Sequence, residues 1–146
     1  MAGFSSSFAN SFLLLVLQAQ AIANLADNAA SSPITNVYLS LHTATPASGN
    51  QSTSEAAYGS YARVAEIRSN STPGFTVASN VATLAANANF PTSTGSPSET
   101  ETYLGVGKSS TGANQLYFYG AISPTIAVTA AGVTPQITTA TTITAT

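Results

Sequence analysis

The sequence predicts a mainly β protein, an antiparallel jelly-roll-like β-sandwich preceded by one N-terminal α-helix. Three observations support this prediction. An apolar pattern of helical period opens the chain, and short alternating segments bounded by Pro, Gly, Ser and Asn follow Pro33. Charged residues are only 5% of the 146 residues, whereas hydrophobic residues are 44%, enough for a core. We therefore assign residues 1–32 to a helix and linker and residues 33–146 to the β-sandwich, within one structural domain.

The N-terminal helix is predicted from apolar residues that recur every three or four positions. Ser5-Ser6-Ser7 offers capping hydroxyls. The stripe that follows comprises Phe8, Phe12, Leu15, Ala19, Ile22 and Ala26. Neighbouring Leu and Val residues make the helix apolar almost all round, so it can cover the β core and also offer a face to another chain. We expect it to end near Asp27-Asn28, before Pro33.

Short strands are predicted from Pro33 onwards. The first, NVYLSLHT, alternates Val37, Leu39 and Leu41 with Tyr38, Ser40 and His42. The later segments are YARVAEIR, GFTVAS, VATLAANANF, TYLGVGK, QLYFYGAI, PTIAVT and PQITTATTITAT. About eight short strands at this spacing are typical of an antiparallel sandwich or jelly roll. We expect the last segment to be held by sheet pairing or by a neighbouring subunit.

The small number of charges excludes several classes of function. The net charge is −2 with three Lys or Arg residues, too few to bind nucleic acid by neutralising phosphates. The chain has no cysteine, so thiolate metal sites are excluded. The apolar N-terminal run is shorter than the about 20 residues of a membrane span. No Lys or Arg precedes it, so we do not expect a secretory signal.

No group of residues forms a recognisable catalytic or metal-binding motif. His42 is the single histidine, and we expect it to be a strand-end imidazole beside the following loop. Glu99 and Glu101 lie two positions apart and would share a strand face, as a pair of acid–base carboxylates could. Because SPSETET resembles a loop and a strand start, we expect both carboxylates to be solvated. We therefore predict a protein that is not an enzyme and needs neither cofactor nor metal.

Half of the eight charges fall between residues 55 and 68, at Glu55, Arg63, Glu66 and Arg68. A guanidinium offers several donors in a fixed fork, suited to a carboxylate and to loop carbonyls. We favour a clamp in which Arg63 and Glu55 fix the long 43–60 loop onto the sandwich. The alternative is a salt bridge between subunits.

The order of several short motifs resembles a known family. Leu41-His42-Thr43-Ala44-Thr45-Pro46 ends a strand, and Glu55 and Gly59-Ser60-Tyr61-Ala62-Arg63-Val64 follow. Phe90-Pro91, Tyr103-Leu104-Gly105-Val106-Gly107 and Tyr119-Gly120-Ala121-Ile122 come next. This order is similar to that of small tailed-phage virion structural proteins, which are often labelled tail fibre or head decoration proteins. Glu-Thr-Tyr-Leu before Gly105 departs from the Thr-His-Phe-like run usual in the family.

The resemblance implies a structural function on the virion. The function we expect first is a capsid decoration, or cement, protein that binds the capsid exterior as a homo-oligomer and bridges major capsid protein subunits after assembly in the host cytoplasm. Contacts are expected from Phe8, Phe12 and Leu15 of the helix and from Ile137 and Ile143. The alternative is a tail or tail-fibre protein that binds a host-surface glycan, with Tyr117 and Tyr119 as exposed aromatic residues. A secreted polymer subunit is a third class, and it would require cleavage near Ile22.

Overall fold

The fold class predicted from the sequence is confirmed by a computed structural model that describes residues 5–22, 33–46 and 50–145. One helix precedes antiparallel sheets in a mainly β, sandwich-like fold. The elements are α1 (Ser6–Gln18), β1 (Asn36–His42), β2 (Val64–Ile67), β3 (Phe75–Ala78), β4 (Val81–Leu84), β5 (Ala88–Asn89), β6 (Glu99–Gly107), β7 (Leu116–Val128), β8 (Gln136–Ile137) and β9 (Thr142–Thr144).

The strand boundaries differ from the predicted ones at several points. QLYFYGAI and PTIAVT form the single strand β7, whose pairing with β6 shifts register between Glu101 and Tyr103. VATLAANANF and PQITTATTITAT each divide into two strands. YARVAEIR contributes only β2, so Arg63 and Arg68 lie just outside the two ends of that strand. Local alternation therefore located the β segments but not their ends.

The described residues belong to two compact units. The first consists of Met1–Asn36, Glu66–Asn87 and Ile137–Thr146, and the second of Val37–Ala65 and Ala88–Gln136. The strands form a four-stranded sheet of order β2-β1-β6-β7, a three-stranded sheet of order β3-β4-β9 and the pair β5-β8. The pairings β1–β6, β6–β7, β3–β4 and β4–β9 are antiparallel.

Helix α1 packs one face against β3 and β4 in the first unit. Its N-cap is Ser5, whose hydroxyl accepts a hydrogen bond from the Phe8 amide at 3.4 Å, as expected from the serine run. The buried face is formed by Ala9, Leu13 and Leu17, which are spaced four residues apart. The expected stripe lies on the side that is more accessible.

The helix ends nine residues earlier than we expected, at Gln18 rather than near Asp27, and the prediction of its end is wrong. Ala19 takes a left-handed conformation, with φ of 56°, and the Gln20 amide donates to the Leu14 carbonyl at 3.1 Å. Arg68, distant in sequence, donates to the Leu15 and Val16 carbonyls at 2.6 and 2.7 Å. These bonds satisfy carbonyls that a longer helix would have paired. Ala26, Asp27 and Asn28 lie outside the described residues.

The C-terminal segment is held by sheet pairing within the first unit, one of the two arrangements we expected. Ile143 of β9 lies opposite Ala82 of β4. Beyond the strand, Ala145 and Asn80 exchange two hydrogen bonds of 3.0 Å, one through the Asn80 amide side chain. These contacts fix the segment up to residue 145 without a second chain.

Strand β1 of the second unit has one apolar face and one polar face, and both are buried. The register places Leu39 opposite Val106 and Leu41 opposite Leu104, and all four side chains belong to the apolar core. On the other face Ser40 lies opposite Gly105, so this side of the sheet carries a polar side chain next to a residue that has no side chain. The candidate functional site occupies this polar face.

Candidate functional site

The polar face of the β1–β6 pair is buried under the loop that follows β1. Ser40, His42 and Gln51 are each fully inaccessible to solvent. Gly105 and Gly107 make room for them, because a Cβ at Gly105 would lie 2.6 Å from His42 Nε2 and one at Gly107 would overlap the Gln51 side chain. Gly105 and Gly107, which we call the glycine track, therefore leave space in which these polar side chains pack.

His42 is the last residue of β1 and contacts the loop, as predicted. Its Nδ1 lies 2.9 Å from the Thr53 carbonyl oxygen, and its Nε2 lies 2.8 Å from the Ser40 hydroxyl. A carbonyl can only accept, so Nδ1 carries the proton and Nε2 accepts from Ser40. Burial lowers the pKa of His42 below its ordinary value, which favours the neutral ring. With both nitrogens engaged and no exposure, this histidine acts as a structural bridge between strand and loop.

Gln51 joins two loops that are distant in sequence. Its Oε1 accepts from the Ser109 amide at 2.9 Å, and its Nε2 donates to the Ser109 carbonyl at 3.1 Å. Its own amide donates to the Asn114 carbonyl at 2.9 Å. All of these groups lie in the second unit. A buried amide with this set of partners is strongly favoured over an unpaired one.

Arg63 and Glu55 form a bidentate ion pair in the same region. Nε donates to Oε1 at 2.6 Å, and Nη2 donates to Oε2 at 2.7 Å. The guanidinium also donates to the Ser109 carbonyl at 2.9 Å and to the Gly112 carbonyl at 3.0 Å. The Arg63 side chain is 2% exposed and that of Glu55 is 17% exposed. The structure therefore brings together the two residues that we paired from the sequence, and both lie in one chain.

Tyr61 completes the surroundings of the ion pair. Its hydroxyl donates to Glu55 Oε1 and accepts from the Leu41 amide, both at 3.1 Å. Its ring is nearly parallel to that of Phe90, with centroids 6.3 Å apart, and meets the Tyr58 ring edge-on at 5.3 Å. Burial, followed by the charge of Glu55, raises the pKa of Tyr61, so the hydroxyl remains a donor.

Glu99 and Glu101 do not behave as the solvated pair that we expected. Glu99 Oε1 accepts from the Ala57 and Tyr58 amides at 2.8 and 2.6 Å. Glu101 is fully buried, and neither of its carboxyl oxygens has a hydrogen-bond partner within the described part of the chain. Burial, reinforced by the charge of Glu99, raises the pKa of Glu101 to about 8. The prediction is wrong because both residues belong to β6, a paired strand, rather than to a loop.

The residues expected at an interface are distributed over other parts of the molecule. Phe8 is 37% exposed, while Phe12, Leu15 and Ile143 are partly exposed. Ile137, in β8, is 4% exposed and therefore offers almost no surface. Tyr119 of β7 is 51% exposed, and Tyr117 is partly exposed.

Sequence reasoning missed Gln51, Ser109 and the glycine track. A signal was present, because Gly105 and Gly107 lie two apart in a strand and so leave two gaps on the same face. What fills the gaps depends on the loop that crosses them, and its sequence, NQSTSE, does not mark Gln51 as a buried residue. Arg68 was noticed for its charge, but its role at the end of α1 was not predicted.

We expect Gly107→Ala to lower the free energy of unfolding by about 2 kcal/mol, because the new methyl group would displace the buried Gln51 side chain. Urea unfolding followed by circular dichroism measures the change. Gly120→Ala on the neighbouring strand is the matched control, since nothing lies within 4 Å of its Cβ position. Equal stability of the two variants would contradict the proposed packing.

Residues 5–22, 33–46 and 50–145 contain no group of three or more His, Asp or Glu side chains that could hold a metal ion. Across the same ranges, no helix has the length and apolar character needed to cross a membrane.

Comparison with known proteins gives one family. The family model described as "Podophage GP4 fiber I protein gp80" matches residues 15–144. That range includes the polar network, the glycine track and only the last four residues of α1. No curated protein matches the chain significantly.

Proposed function

Because the chain belongs to the podophage GP4 fiber I protein family and is a structural protein of the phage virion, we propose that it is a subunit of a virion fibre. The single observation that carries this proposal is the family match, which spans nearly the whole chain and is described as a fibre protein. In this proposal the protein is not an enzyme, uses no cofactor, and acts by binding its neighbours in the particle as a homo-oligomer.

The polar network of the second unit supports a binding function. His42 is buried with both nitrogens engaged, and Arg63 is paired with Glu55. The same network fixes the 50–55 and 109–112 loops, so it presents a rigid surface to a partner.

Capsid decoration is the second candidate. The observation that favours it is the charge-poor surface, with three basic and five acidic residues in the whole chain, which suits close packing that varies little with salt. In this case the partner would be the major capsid protein, and the location would be the capsid exterior. Many identical interfaces, each contributing only several kcal/mol net, would together reinforce the shell.

Immunogold labelling of intact particles distinguishes the two candidates. Gold confined to the tail or to projecting fibres is the result expected for a fibre subunit. Gold spread evenly over the head would overturn the fibre proposal in favour of decoration. Absence of label from purified particles that are otherwise accessible to antibody would contradict both.

We also expect Leu15→Asp to abolish incorporation into the particle, because Leu15 lies on the partly exposed side of α1 and a carboxylate there would oppose apolar docking. The measurement is the amount of variant protein that sediments with particles lacking the wild-type chain. Ser7→Asp is the matched control, since Ser7 is exposed near the start of the same helix. Normal incorporation of a folded Leu15→Asp protein would exclude this face as the docking surface.

A further inference from the structure

An open pocket lies beside the Glu55–Arg63 ion pair in the second unit. Its volume is about 260 Å³. The residues that line it include Glu55, Tyr61, Arg63, Ser110, Thr111 and Gly112. Ser110 and Thr111 are exposed at its rim, whereas Arg63 is buried at its base. Arg63, which directly precedes β2, therefore joins the two loops that form the rest of the pocket wall.

The charges around the pocket argue against an ionic ligand. The Arg63 guanidinium directs hydrogen bonds to both oxygens of Glu55 and to the Ser109 and Gly112 carbonyls. Its charge is thus balanced within the pocket wall. The carboxylate, at 17% exposed, reaches solvent more than the guanidinium, at 2%. An anionic ligand would meet the Glu55 carboxylate before it met Arg63, and a cation would meet an already paired carboxylate.

The remaining wall groups suit a neutral molecule that carries hydroxyl groups. Glu55 Oε1 already accepts from Arg63 and Tyr61, whereas Oε2 accepts from Arg63 and has a second lone pair for a ligand hydroxyl. The side chains of Ser110 and Thr111 can each donate and accept. Ala56, Ala62 and Tyr61 add apolar surface between these polar groups. A pyranose ring presents the complementary chemistry, with hydroxyls that donate and accept and C–H faces that pack on apolar surface.

The pocket is also rigid before any ligand arrives. Tyr61 is held between the Leu41 amide and Glu55, and its ring packs against Phe90. Ser109 is bound by Arg63 and Gln51 together. A ligand would not have to order these groups, so even a few weak hydrogen bonds could give measurable affinity.

We propose that this pocket is a saccharide-binding subsite for one neutral hexose unit. Ser110, Thr111 and Glu55 bind its hydroxyl groups, and Tyr61 with the two alanines supports its apolar face. This assigns a ligand class to a pocket whose lining does not include Tyr117 or Tyr119, the aromatic residues we had considered for host-surface binding. The proposal requires only the folded chain and does not depend on where the protein lies in the virion.

The test is a titration of the purified, isotope-labelled chain followed by amide NMR shifts. The probes are D-glucose, D-galactose and N-acetyl-D-glucosamine, with D-glucuronate as the charged comparison. We expect at least one neutral sugar to give saturable shifts at residues 55–63 and 109–113, with a Kd on the order of 1 mM. Glucuronate should bind more weakly. Absence of saturable shifts up to about 50 mM for every neutral sugar, or tighter binding of glucuronate, would overturn the proposal.

Two variants separate this pocket from nonspecific binding. Ser110→Ala and Thr111→Val each remove a hydroxyl without touching the ion pair, and each should weaken binding by about 2-fold to 10-fold. Thr125→Val, an exposed position on β7, is the matched control and should leave the Kd unchanged. Unchanged binding in the Ser110→Ala/Thr111→Val double variant would also overturn the proposal. Because binding is measured on the purified chain, this outcome is independent of the immunogold result.

Discussion

Replacing Arg63 with methionine is expected to lower the free energy of unfolding by about 3 kcal/mol. The change removes the guanidinium hydrogen bonds to Glu55, Ser109 and Gly112 while leaving these acceptors in place. Partly buried acceptors that lose their donor keep their desolvation cost. Urea unfolding followed by far-ultraviolet circular dichroism measures the loss.

Three companion variants define the origin of this effect. Lys108→Met removes an exposed cation and should change stability by less than about 0.5 kcal/mol. Arg63→Lys keeps the charge but not the planar fork, and should recover only part of the loss. A double-mutant cycle with Glu55→Gln should give a coupling energy above about 1 kcal/mol. A coupling near zero would mean that Arg63 stabilises the loops without its ion pair.

Replacing Glu101 with glutamine is expected to remove most of the fall in stability between pH 7 and pH 8. Burial and the charge of Glu99 raise the pKa of Glu101 from 4.5 in the unfolded chain to about 8 in the folded one. Between these values the folded state retains a proton that the unfolded state has lost. Its stabilising contribution is complete below the unfolded pKa and is lost as the pH rises through the folded pKa.

For this one group, the free energy of unfolding should fall by about 1 kcal/mol from pH 7 to pH 8. A glutamine amide does not titrate, so the Glu101→Gln variant should match the wild type below about pH 4.5 and exceed it by a margin that grows as the pH rises to about 8. Chemical unfolding at each pH gives the comparison. A variant with the same pH dependence as the wild type would show that Glu101 is not the titrating group.

Glu66→Gln is the matched control for the pH experiment. Glu66 is 3% exposed and lies in the first unit, and burial raises its pKa to about 7. Its replacement should remove only part of the fall between pH 5 and pH 7, because Glu101 contributes to that fall as well, and should leave most of the fall between pH 7 and pH 8. The interval from pH 7 to pH 8 therefore distinguishes the two variants in the same measurement.

Local patterns in the sequence predicted the parts of the fold that depend on residues only a few positions apart. The serine run before an apolar stripe gave the N-cap at Ser5, and strict alternation gave β1 with His42 at its end. The pairing of Arg63 with Glu55 could also be anticipated. An arginine in a chain with so few charges needs an acceptor, and Glu55 is eight residues away.

Helix α1 shows where local patterns are insufficient. Its apolar period continues past Gln18, and no glycine marks the stop. The end is set by Arg68, which binds the Leu15 and Val16 carbonyls from more than 50 positions along the chain. A helix ends where another set of partners satisfies its carbonyls, and the sequence near that end does not reveal those partners.

By itself, the sequence determined the β class, the N-terminal helix and the family resemblance. Only the tertiary structure decided that Glu101 is buried, that Gln51 lies over the glycine track, and that a pocket forms beside Arg63. Alternation and capping act over a few residues, so composition and spacing record them. Burial of a polar side chain depends instead on strand register and on which loop crosses the strand, and these are fixed by contacts between residues about 50 positions apart.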